Sequence, residues 1–472
     1  METLQRTANR GSVSTGYDVD NSVKLERANS ETLQFTFDQA ATNLKKNTLS
    51  IWFKRTEISV NQGLYQFGDD ASGEHTYIRF TSSDDKGFLR GNFGSNVQFL
   101  LTTQSFRDTS AWYHLVVAWD TTQSTASDRL KVYLNGSEIT AFDTDNRSSV
   151  IPLNHDTPNG ENGKSVIIGE GVYDISAYIA ETNFVDGQAL APTSFGEFDS
   201  GSGIWKPKEY TGTYGNNGFY LDFKNSSNLG EDQSGNNHDF TLNNITSADQ
   251  ATDTCTNNFC TFNPLIATSN APTINEGAMH VAGGGGTWNN AYGSLGAKNG
   301  KWYYEYKVTN TEFGFFGAST FPDTSDDATS SQFMYDQSFT IGYAAAHYYQ
   351  RINGSQISNE STGWGTTSTN DIYGLFLNLD DQEFTVARNG SVLSGTLSQP
   401  VSLNSAFSNK FVFPCNAQYE DDGGEFNFGG YTLISNTKSY SDANNYGNFV
   451  YSPVLSGVNY YALCTKNLAE YG

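Results

Sequence analysis

The sequence predicts an all-β protein of two two-sheet β-sandwiches joined by a loop-rich connector, and three observations lead to this fold class. Apolar and polar residues alternate along short runs, for example at 33–37 and 130–134, which is typical of strands with one buried face. Asn-Gly pairs follow such runs, as at Asn135-Gly136, and both residue types tolerate the positive φ angles of a tight hairpin turn. The sequence contains no long amphipathic helical pattern.

Composition excludes several classes of function. The 472 residues include 27 basic and 51 acidic side chains, which gives a formal net charge of −24. Nucleic-acid binding needs a dense cationic face, so we expect no nucleic-acid partner. Aromatic residues make up 14% of the chain, which is too many for a disordered protein. No apolar run approaches the roughly 20 residues of a membrane-spanning helix, so we also expect no membrane insertion.

Cysteine usage and the N-terminal residues bear on the cellular setting. The four cysteines are too few for a disulfide scaffold. Cys255 and Cys260 have no second Cys or His pair nearby to complete a zinc site, so we expect no metal there. Residues 1–20 contain no apolar run typical of a secretory signal. We expect a protein that is synthesised in a host cytoplasm and leaves it, if at all, within a larger particle or by lysis.

Shifts in composition divide the chain into five segments. A polar arm spans 1–21, and strand patterns extend over 22–200. A loop-rich connector follows at 201–268, a second strand-rich block at 269–435, and a Tyr-, Asn- and Ser-rich tail at 436–472. The tail also contains apolar residues that we expect to pack on another part of the structure, namely Phe449, Val450, Val454, Leu455, Tyr460, Tyr461 and Leu463.

The first strand-rich block carries motifs of a known superfamily. They are the strand run 48–54, the segment 112–120 with its Trp-x-His and apolar run, and the Val-Tyr-Leu-Asn-Gly segment 132–136, followed by 166–169 and 177–187. In this order the motifs resemble those of the laminin-G-like, or concanavalin A-like lectin, superfamily. The resemblance implies a two-sheet jelly roll for residues 22–200.

The second strand-rich block resembles a SPRY domain. Its most specific part is the hairpin of 371–380 and 383–390, in which an apolar strand ending in Asp is followed by a strand ending in Asn-Gly. The resemblance implies a second two-sheet sandwich at 269–435, of a family that binds proteins through loops and is not enzymatic. Further segments that look like strands of this family are 301–306, 313–317, 411–415 and 425–429.

A third resemblance concerns the connector and the tail. Their segments are similar to those of large marine-phage proteins in which a laminin-G-like unit precedes a SPRY-like unit. This resemblance implies a virion or tail-associated setting. The segments that carry it are 204–210, 217–223, 232–240, 257–264 and 461–468.

A concanavalin A-like sandwich can support glycoside hydrolysis, which requires two facing carboxylates. The chain contains one formal E-x-D-x-x-E match at Glu420, Asp422 and Glu425, which surrounds Gly423-Gly424 and lies outside the laminin-G-like block. Two glycines weaken a strand that must hold carboxylates rigidly. We therefore interpret the match as a solvated acidic loop, expect no catalytic residues, and predict that the protein is not an enzyme.

Two further sites remain open at the level of sequence. His114 lies within a strand pattern, and we favour a buried structural role over a catalytic one. Calcium binding is possible because many laminin-G-like domains carry one ion at a loop rim, although we favour exposed turns for the candidate ligands. These candidates are Asp69, Asp70, Asp84, Asp85, Asp232, Asn236 and Asp239.

Aromatic residues outside the strand pattern are the candidate ligand-binding residues. Tyr348, Tyr349 and Trp364 lie in SPRY-like segments rich in Ser, Asn and Gly. Exposed Tyr and Trp rings suit stacking on sugars and contacts with proteins. Core or inter-domain packing is an equally good interpretation of the three residues.

These observations lead to one principal hypothesis on function. We expect a structural component of a phage virion, such as a tail fibre or a capsid-associated fibre or decoration. Its lectin-like modules would attach to host surface glycan or to other virion proteins, and the chain would form a homo-oligomer within the particle. Two alternatives stay open, namely a carbohydrate-active enzyme (depolymerase) that degrades host surface polysaccharide and a cellular glycan- or peptide-binding adaptor.

Overall fold

Antiparallel sheets dominate the structure, so the predicted all-β fold class of β-sandwiches is confirmed. Strands account for 44% of the chain and helices for 6%. No helix in the part of the chain that the structure describes has the length and apolar character needed to cross a bilayer. The computed structural model describes residues 16–68, 73–93, 96–170, 172–266, 272–284, 288–310, 314–320, 340–344, 349–352, 355–356, 367–393, 399–419, 423–431 and 433–472.

The chain divides after Thr256 into two units. The first unit, at residues 16–256, has one α-helix, α1 (Arg147–Val150), and four 3-10 helices at Arg27–Asn29, Ala126–Asp128, Pro192–Ser194 and Ser247–Asp249. Its strands are β1 (Ser22–Leu25), β2 (Thr32–Thr36), β3 (Lys46–Arg55), β4 (Gln62–Gly68), β5 (His75–Phe80), β6 (Lys86–Asn92), β7 (Asn96–Ser105), β8 (Tyr113–Asp120), β9 (Leu130–Leu134), β10 (Ser137–Glu138), β11 (Phe142–Asp145), β12 (Ser165–Ile168), β13 (Ala177–Asp186), β14 (Gly196–Phe198), β15 (Trp205–Pro207), β16 (Phe219–Leu221), β17 (Thr241–Asn243) and β18 (Gln250–Ala251).

Two eight-stranded sheets form the first unit. The first sheet has the order β10-β9-β8-β3-β13-β1-β18, and β16 also pairs with β13. The second sheet has the order β11-β7-β6-β5-β4-β12-β2-β17. Alternate residues of both sheets point into a common core because successive side chains of a strand face opposite ways. On β3 the core-facing residues are Leu49, Ile51 and Phe53, all buried.

The outer face of the first sheet is also covered. Val116 and Val185 point away from the common core and pack with Phe195, which is buried, and with the half-buried Tyr210 and Tyr214. All three of these covering residues lie at 188–256, a segment that includes most of the predicted connector. The first sheet is therefore buried on both faces, and its outward-facing polar residues need partners within the protein.

The described residues of the second unit, within 257–472, include one α-helix, α2 (Thr465–Tyr471). Its strands are β19 (Thr273–Asn275), β20 (His280–Ala282), β21 (Trp288–Tyr292), β22 (Lys301–Val308), β23 (Phe315–Ser319), β24 (Thr340–Ala344), β25 (Tyr349–Ile352), β26 (Ser355–Gln356), β27 (Ile372–Asn378), β28 (Glu383–Arg388), β29 (Ser391–Val392), β30 (Val401–Ser402), β31 (Phe413–Tyr419), β32 (Gly423–Asn427), β33 (Tyr440–Ser441), β34 (Asn448–Phe449), β35 (Val454–Leu455), β36 (Val458–Asn459) and β37 (Tyr461–Ala462).

The second unit is again built on two sheets. The third sheet has the order β19-β20-β32-β22-β27-β28-β29, with β30 on β28 and β37 on β22, and the fourth has the order β21-β31-β23-β24-β25-β26. Tyr304 and Tyr306 of β22 face the fourth sheet. The Tyr304 hydroxyl donates to the Gly317 carbonyl over 2.7 Å, and the Tyr306 ring stacks on Phe316 with centroids 4.0 Å apart. The intervening Tyr303 and Glu305 therefore face outward.

The C-terminal segment covers these outward-facing residues. Phe449 and Tyr460 are buried in one cluster with Tyr303, as the apolar content of the tail predicts. Val450 and Leu463 are buried as well. Val454 is 45% exposed, so the expectation that it packs was wrong for this residue, which lies on the short β35–β36 hairpin.

Glu305 shows how the tail and the third sheet are joined. It is fully buried, and its carboxylate accepts hydrogen bonds from Asn427 Nδ2 at 2.8 Å and from the Tyr303 hydroxyl at 3.1 Å. The backbone amides of Val450 and Tyr451 donate to the same carboxylate at 3.1 Å and 2.8 Å. Burial raises the pKa of Glu305, and the four donors oppose that rise.

The close approach of Gly424 to Tyr306 gives a test of the packing in the second unit. A Cβ atom at position 424 would lie 2.0 Å from the Tyr306 ring. We expect Gly424→Ala to lower the free energy of unfolding by about 1–3 kcal/mol, because the ring is packed and must shift. Gly284→Ala is the matched control, since a Cβ there meets nothing within 4 Å. Urea denaturation of both variants measures the difference, and equal midpoints would contradict this packing.

Candidate functional site

The outer face of the second sheet carries a row of polar and aromatic side chains on β5. Ile78 and Phe80 point into the core, so His75, Tyr77 and Arg79 point to the opposite face. All three outward-facing residues are buried, although they do not face the core. This alternation places an imidazole, a phenol and a guanidinium side by side along one strand.

These side chains form a stacked column with Tyr173. The rings of His75 and Tyr77 are parallel within 5°, with centroids 5.5 Å apart. The guanidinium carbon of Arg79 lies 3.7 Å from the Tyr77 centroid and 4.7 Å from the Tyr173 centroid. Tyr173 is 41% exposed. The column, defined as His75, Tyr77, Arg79 and Tyr173, therefore extends from buried groups to an aromatic ring at the surface.

Glu170 fixes the column in place. Its two carboxylate oxygens accept hydrogen bonds from Arg79 Nε and Nη2, both at 2.6 Å, and both side chains are buried. The carboxylate occupies the position that a side chain at Gly63 would need, since a Cβ there would lie 2.0 Å from Glu170 Oε2. The Gly63 amide also donates to the Tyr173 carbonyl over 2.5 Å. The Arg79 charge is thereby neutralised, so the column presents an aromatic surface and not an anion site.

The surroundings of the column combine apolar and polar groups. Val172, next to Tyr173, is 56% exposed. Gln66 lies on the neighbouring strand opposite Tyr77, and it is 5% exposed. The Oε1 atom of Gln66 is buried and has no hydrogen-bond partner among the described residues. An exposed aromatic ring with hydrogen-bonding groups nearby is the usual composition of a carbohydrate- or protein-binding surface.

A second group of titratable residues lies at a bulge in β13. The pairing of β13 with β3 shifts register between Ala180 and Asn183, and Glu181 between them has a positive φ of 46°. Ile179 and Phe184 both face the core although they are five positions apart, which an unbroken alternation forbids. The bulge therefore resets the alternation of the strand and determines the position of Glu181.

Two phenols bind the Glu181 carboxyl group. Tyr17 donates to Oε2 over 3.0 Å and Tyr220 donates to Oε1 over 2.8 Å. The two hydroxyl oxygens are themselves only 2.8 Å apart. Glu181 is 6% exposed, and this burial raises its pKa to about 7. Burial also raises the pKa values of both phenols well above their usual range.

His114 has the buried structural role that the sequence favours. Its ring stacks on the indole of Trp52 with centroids 4.6 Å apart, and the indole of Trp205 lies near its edge with centroids 5.9 Å apart. Trp205 Nε1 donates to His114 Nδ1 over 2.9 Å, so Nε2 carries the proton and donates to Ser50 Oγ over 2.8 Å. An imidazole that donates to the serine cannot act as its general base. Complete burial lowers the pKa of His114 to about 3, which keeps the ring neutral.

The aromatic residues proposed from the sequence fall largely outside the described residues. Tyr348 and Trp364 are not among them, so their assignment as ligand-binding residues stays a prediction. Tyr349 begins β25, where its backbone pairs with Ala344, but its side chain is likewise outside the described part of the structure.

Only one carboxylate of the E-x-D-x-x-E match, that of Glu425, lies within the described residues. Glu420 and Asp422 lie outside the described residues. Glu425 lies on β32 and forms a 2.9 Å ion pair with Lys307 of β22, with side chains 18% and 11% exposed. A carboxylate paired in this way stabilises the neighbouring strands.

The described candidate calcium ligands form ion pairs and hydrogen bonds within the protein. Asp85 pairs with Arg55 at 3.0 Å, and Asp84 pairs with Lys86 at 3.0 Å. Asp232 accepts from the amides of Tyr220 and His238. Asn236 and Asp239 also form hydrogen bonds in the same loop, and Asp69 and Asp70 lie outside the described residues. Where side chains are described, no group of three or more His, Cys, Asp or Glu residues could hold a metal ion.

The sequence analysis did not single out the column or the group around Glu181. The signal for the column was present, because His75, Tyr77 and Arg79 alternate with Ile78 and Phe80 in one strand. This alternation predicts a face of aromatic and cationic residues on the side of the strand opposite the core. No local signal indicated Glu181, since its partners lie 164 and 39 residues away in the chain.

Comparison with known families finds a match within the first unit. Residues 27–188 match the family described as the concanavalin A-like lectin/glucanases superfamily, so this part of the chain is similar to concanavalin A-like domains. The search of curated proteins found no match.

Solved structures similar to the chain include two SPRY domains and a pentraxin. The SPRY domain of human HERC1 is 18% identical, with 35% of this chain and 96% of that chain covered and a TM-score of 0.27. The TRIM65 PSpry domain is 15% identical, with coverage of 36% and 91% and a TM-score of 0.28. A heptameric SAP-like pentraxin from Limulus polyphemus is 17% identical, with coverage of 37% and 80% and a TM-score of 0.27.

The buried ion pair between Arg79 of the column and Glu170 predicts a large loss of stability when one partner is removed. We expect Arg79→Met to lower the free energy of unfolding by about 3–5 kcal/mol, because Glu170 is left buried without a counter-charge. Lys45→Met is the matched control, since the Lys45–Asp156 pair is 35% and 59% exposed and its loss costs about 1 kcal/mol or less. Urea denaturation compares the two, and equally small losses would contradict the role of the pair.

His114 predicts a dependence of stability on acid. Its folded pKa is lowered, so the unfolded chain binds more protons below the usual value of about 6.5, and stability is lost as pH falls toward about 3. His114→Asn keeps an acceptor for Trp205 and removes the titrating ring. We expect the stability advantage of the native protein over this variant to shrink by about 2 kcal/mol between about pH 7.5 and about pH 5. Denaturant unfolding at both pH values measures this, and a constant difference would refute it.

Proposed function

We propose that the chain is a non-catalytic binding component whose column face attaches to carbohydrate. Its similarity to concanavalin A-like domains supports a carbohydrate- or protein-binding module. The observation that favours carbohydrate is the exposed Tyr173 ring at the end of a rigid stack. A ring that is already held in place loses little conformational entropy when a sugar packs on it.

The arrangement of carboxylates favours binding over hydrolysis. A retaining glycosidase needs two carboxyl groups about 5–5.5 Å apart on either side of the scissile bond. Glu170 is the carboxylate at the column, and both of its oxygens are held by Arg79. A carboxylate neutralised in this way is a poor nucleophile and a poor proton donor. The depolymerase alternative therefore receives less support from the described residues than a lectin-like role.

The proposed setting is a phage virion. The similarity of the connector and tail segments to those of marine-phage proteins supports it. In this setting the chain would be a tail fibre or a capsid-associated fibre or decoration. It would contact other virion proteins and further copies of itself, while the column face is directed to a host surface glycan.

The virion setting has a direct test. Particles purified from an infected culture are analysed by quantitative mass spectrometry and by labelling with an antibody against the chain. We expect the chain in the particles at a fixed ratio to the major capsid protein, together with antibody label at one type of position. A chain that is made during infection but absent from purified particles would refute the setting and favour a cellular adaptor.

Glycan binding through the column is tested with Tyr173 variants of the full chain. On an array of bacterial surface polysaccharides we expect Tyr173→Ala to weaken binding roughly fivefold, since loss of an aromatic contact costs about 1 kcal/mol. Tyr173→Phe should bind like the native protein because it keeps the ring. Tyr440→Ala, which removes a 47% exposed ring from the second unit, is the control for surface aromaticity. Equal binding by all variants would show that the column is not the site, and release of sugar fragments would favour the depolymerase.

A further inference from the structure

The segment that precedes β1 contacts the first unit through Val19 and Tyr17, and through an exposed ion pair of Asp20 with Lys224. Val19 is buried, its amide donates to Thr256 Oγ1 over 3.0 Å, and its carbonyl accepts from Thr254 Oγ1 over 2.8 Å. Two residues earlier, the Tyr17 hydroxyl reaches the Glu181 carboxyl group. The hydrogen bonds of Val19 involve threonine hydroxyls, which do not titrate. The hydrogen bond of Tyr17 involves the Glu181 carboxyl group, which does.

The oxygen atoms of Glu181, Tyr17 and Tyr220 form a closed triangle of short contacts, which we call the Glu181 ring. The three contacts measure 3.0 Å, 2.8 Å and 2.8 Å, and each needs one hydrogen atom to be attractive. The two phenols supply two hydrogens. If Glu181 is ionised, one of the three contacts joins two oxygens with no hydrogen between them.

A proton on Glu181 removes this conflict. Oε2 of the carboxylic acid can then donate to Tyr17, which reverses the direction of the bond that Tyr17 makes to an ionised carboxylate. Tyr17 can donate to Tyr220, and Tyr220 can donate to Oε1, so every contact contains one hydrogen. A neutral acid between two phenols therefore satisfies all three contacts at the observed distances.

Charged groups near the Glu181 ring have opposite effects on the pKa of Glu181. Burial is the main cause of the raised pKa of Glu181, the charge of Asp222 adds to it, and Lys224 opposes it. Lys224 also forms an exposed 3.5 Å ion pair with Asp20. Glu209 also acts on Tyr17, and the charge of Glu181 in turn raises the pKa values of Tyr214 and Cys255.

We propose that Glu181 is a proton-binding site that fastens the segment before β1 to the first unit. With the proton bound, the Glu181 ring is closed and Tyr17 is held. When the proton leaves to solvent, one contact of the ring becomes repulsive and Tyr17 detaches, while Val19 stays attached through the two threonines. The positive φ of Glu181 supports this role, because strained backbone of this kind is retained where a side chain must be held in one position.

The sign of the dependence follows from the raised pKa. The folded protein holds the proton up to about pH 7, whereas an exposed glutamate loses it near 4.5. The closed ring is therefore favoured at neutral and acidic pH, and its advantage falls as pH rises from the lower value to the higher one. Between about pH 6 and about pH 8.5 the equilibrium for opening should increase roughly tenfold.

Hydrogen exchange on the full-length protein tests the proposal. The amide protection of residues 16–18 is measured at about pH 6 and about pH 8.5 and corrected for the intrinsic pH dependence of exchange. We expect protection to fall roughly tenfold in the native protein. The carboxyl carbon of labelled Glu181, followed by NMR, should titrate with a midpoint near pH 7.

Three variants distinguish the effect of the Glu181 proton from the effect of side-chain packing. Glu181→Gln supplies a permanent donor and acceptor, so the ring should stay closed and protection should be the same at both pH values. Tyr17→Phe should lose protection at both. Tyr210→Phe is the matched control, because it removes a phenol on the same face whose bond to the Thr213 carbonyl lies outside the ring.

Two results would overturn the proposal. One is a native protein whose corrected protection at 16–18 is unchanged between the two pH values. The other is a Glu181 carboxyl group that is already ionised at about pH 6. Both are measured on the native chain, so they decide the question even if the glutamine variant fails to fold.

Discussion

A charged group that is taken out of water must find a partner, and this requirement organises the outer faces of both sandwiches. Each unit buries not only the core between its sheets but also part of an outward-facing layer. Arg79 meets Glu170 there, Lys54 meets Asp253 at 2.6 Å, and Glu305 meets four donors. An outward-facing residue in a simple two-sheet sandwich would be solvated. Here additional segments cover these residues, which form hydrogen bonds and ion pairs with one another. The column and the Glu181 ring are two examples.

The sequence predicted the layer architecture well because the signals for it are local. Alternation in β3, β8 and β22 and the Asn-Gly turns depend only on neighbouring residues, and the structure follows them. The bulge at Glu181 could not be predicted in this way. It breaks the alternation at one point, where β13 pairs with both β3 and β16, strands that lie far from it in the sequence.

The same distinction applies to the candidate site. His114 could be assigned a structural role from its strand context alone. The column needed Tyr173 and Glu170, which follow β12 and reach β5 only through sheet pairing across β4. Whether an aromatic residue is a platform or a core residue depends on what covers it, and composition does not contain that information. Tyr77 and Tyr173 illustrate the point, since one is buried and the other is 41% exposed within a single stack.

The layer that the C-terminal segment adds to the second unit also affects how the chain is made. Glu305 receives two of its four donors from Val450 and Tyr451, and β22 gains β37 at Tyr461–Ala462 as a parallel neighbour. During translation, the outer face of the third sheet therefore stays uncovered until these residues have left the ribosomal exit tunnel. The first sandwich has all of its strands once residue 251 has emerged. A nascent chain paused between these two points would carry one finished unit and one with an exposed aromatic face, which is the kind of surface that chaperones bind.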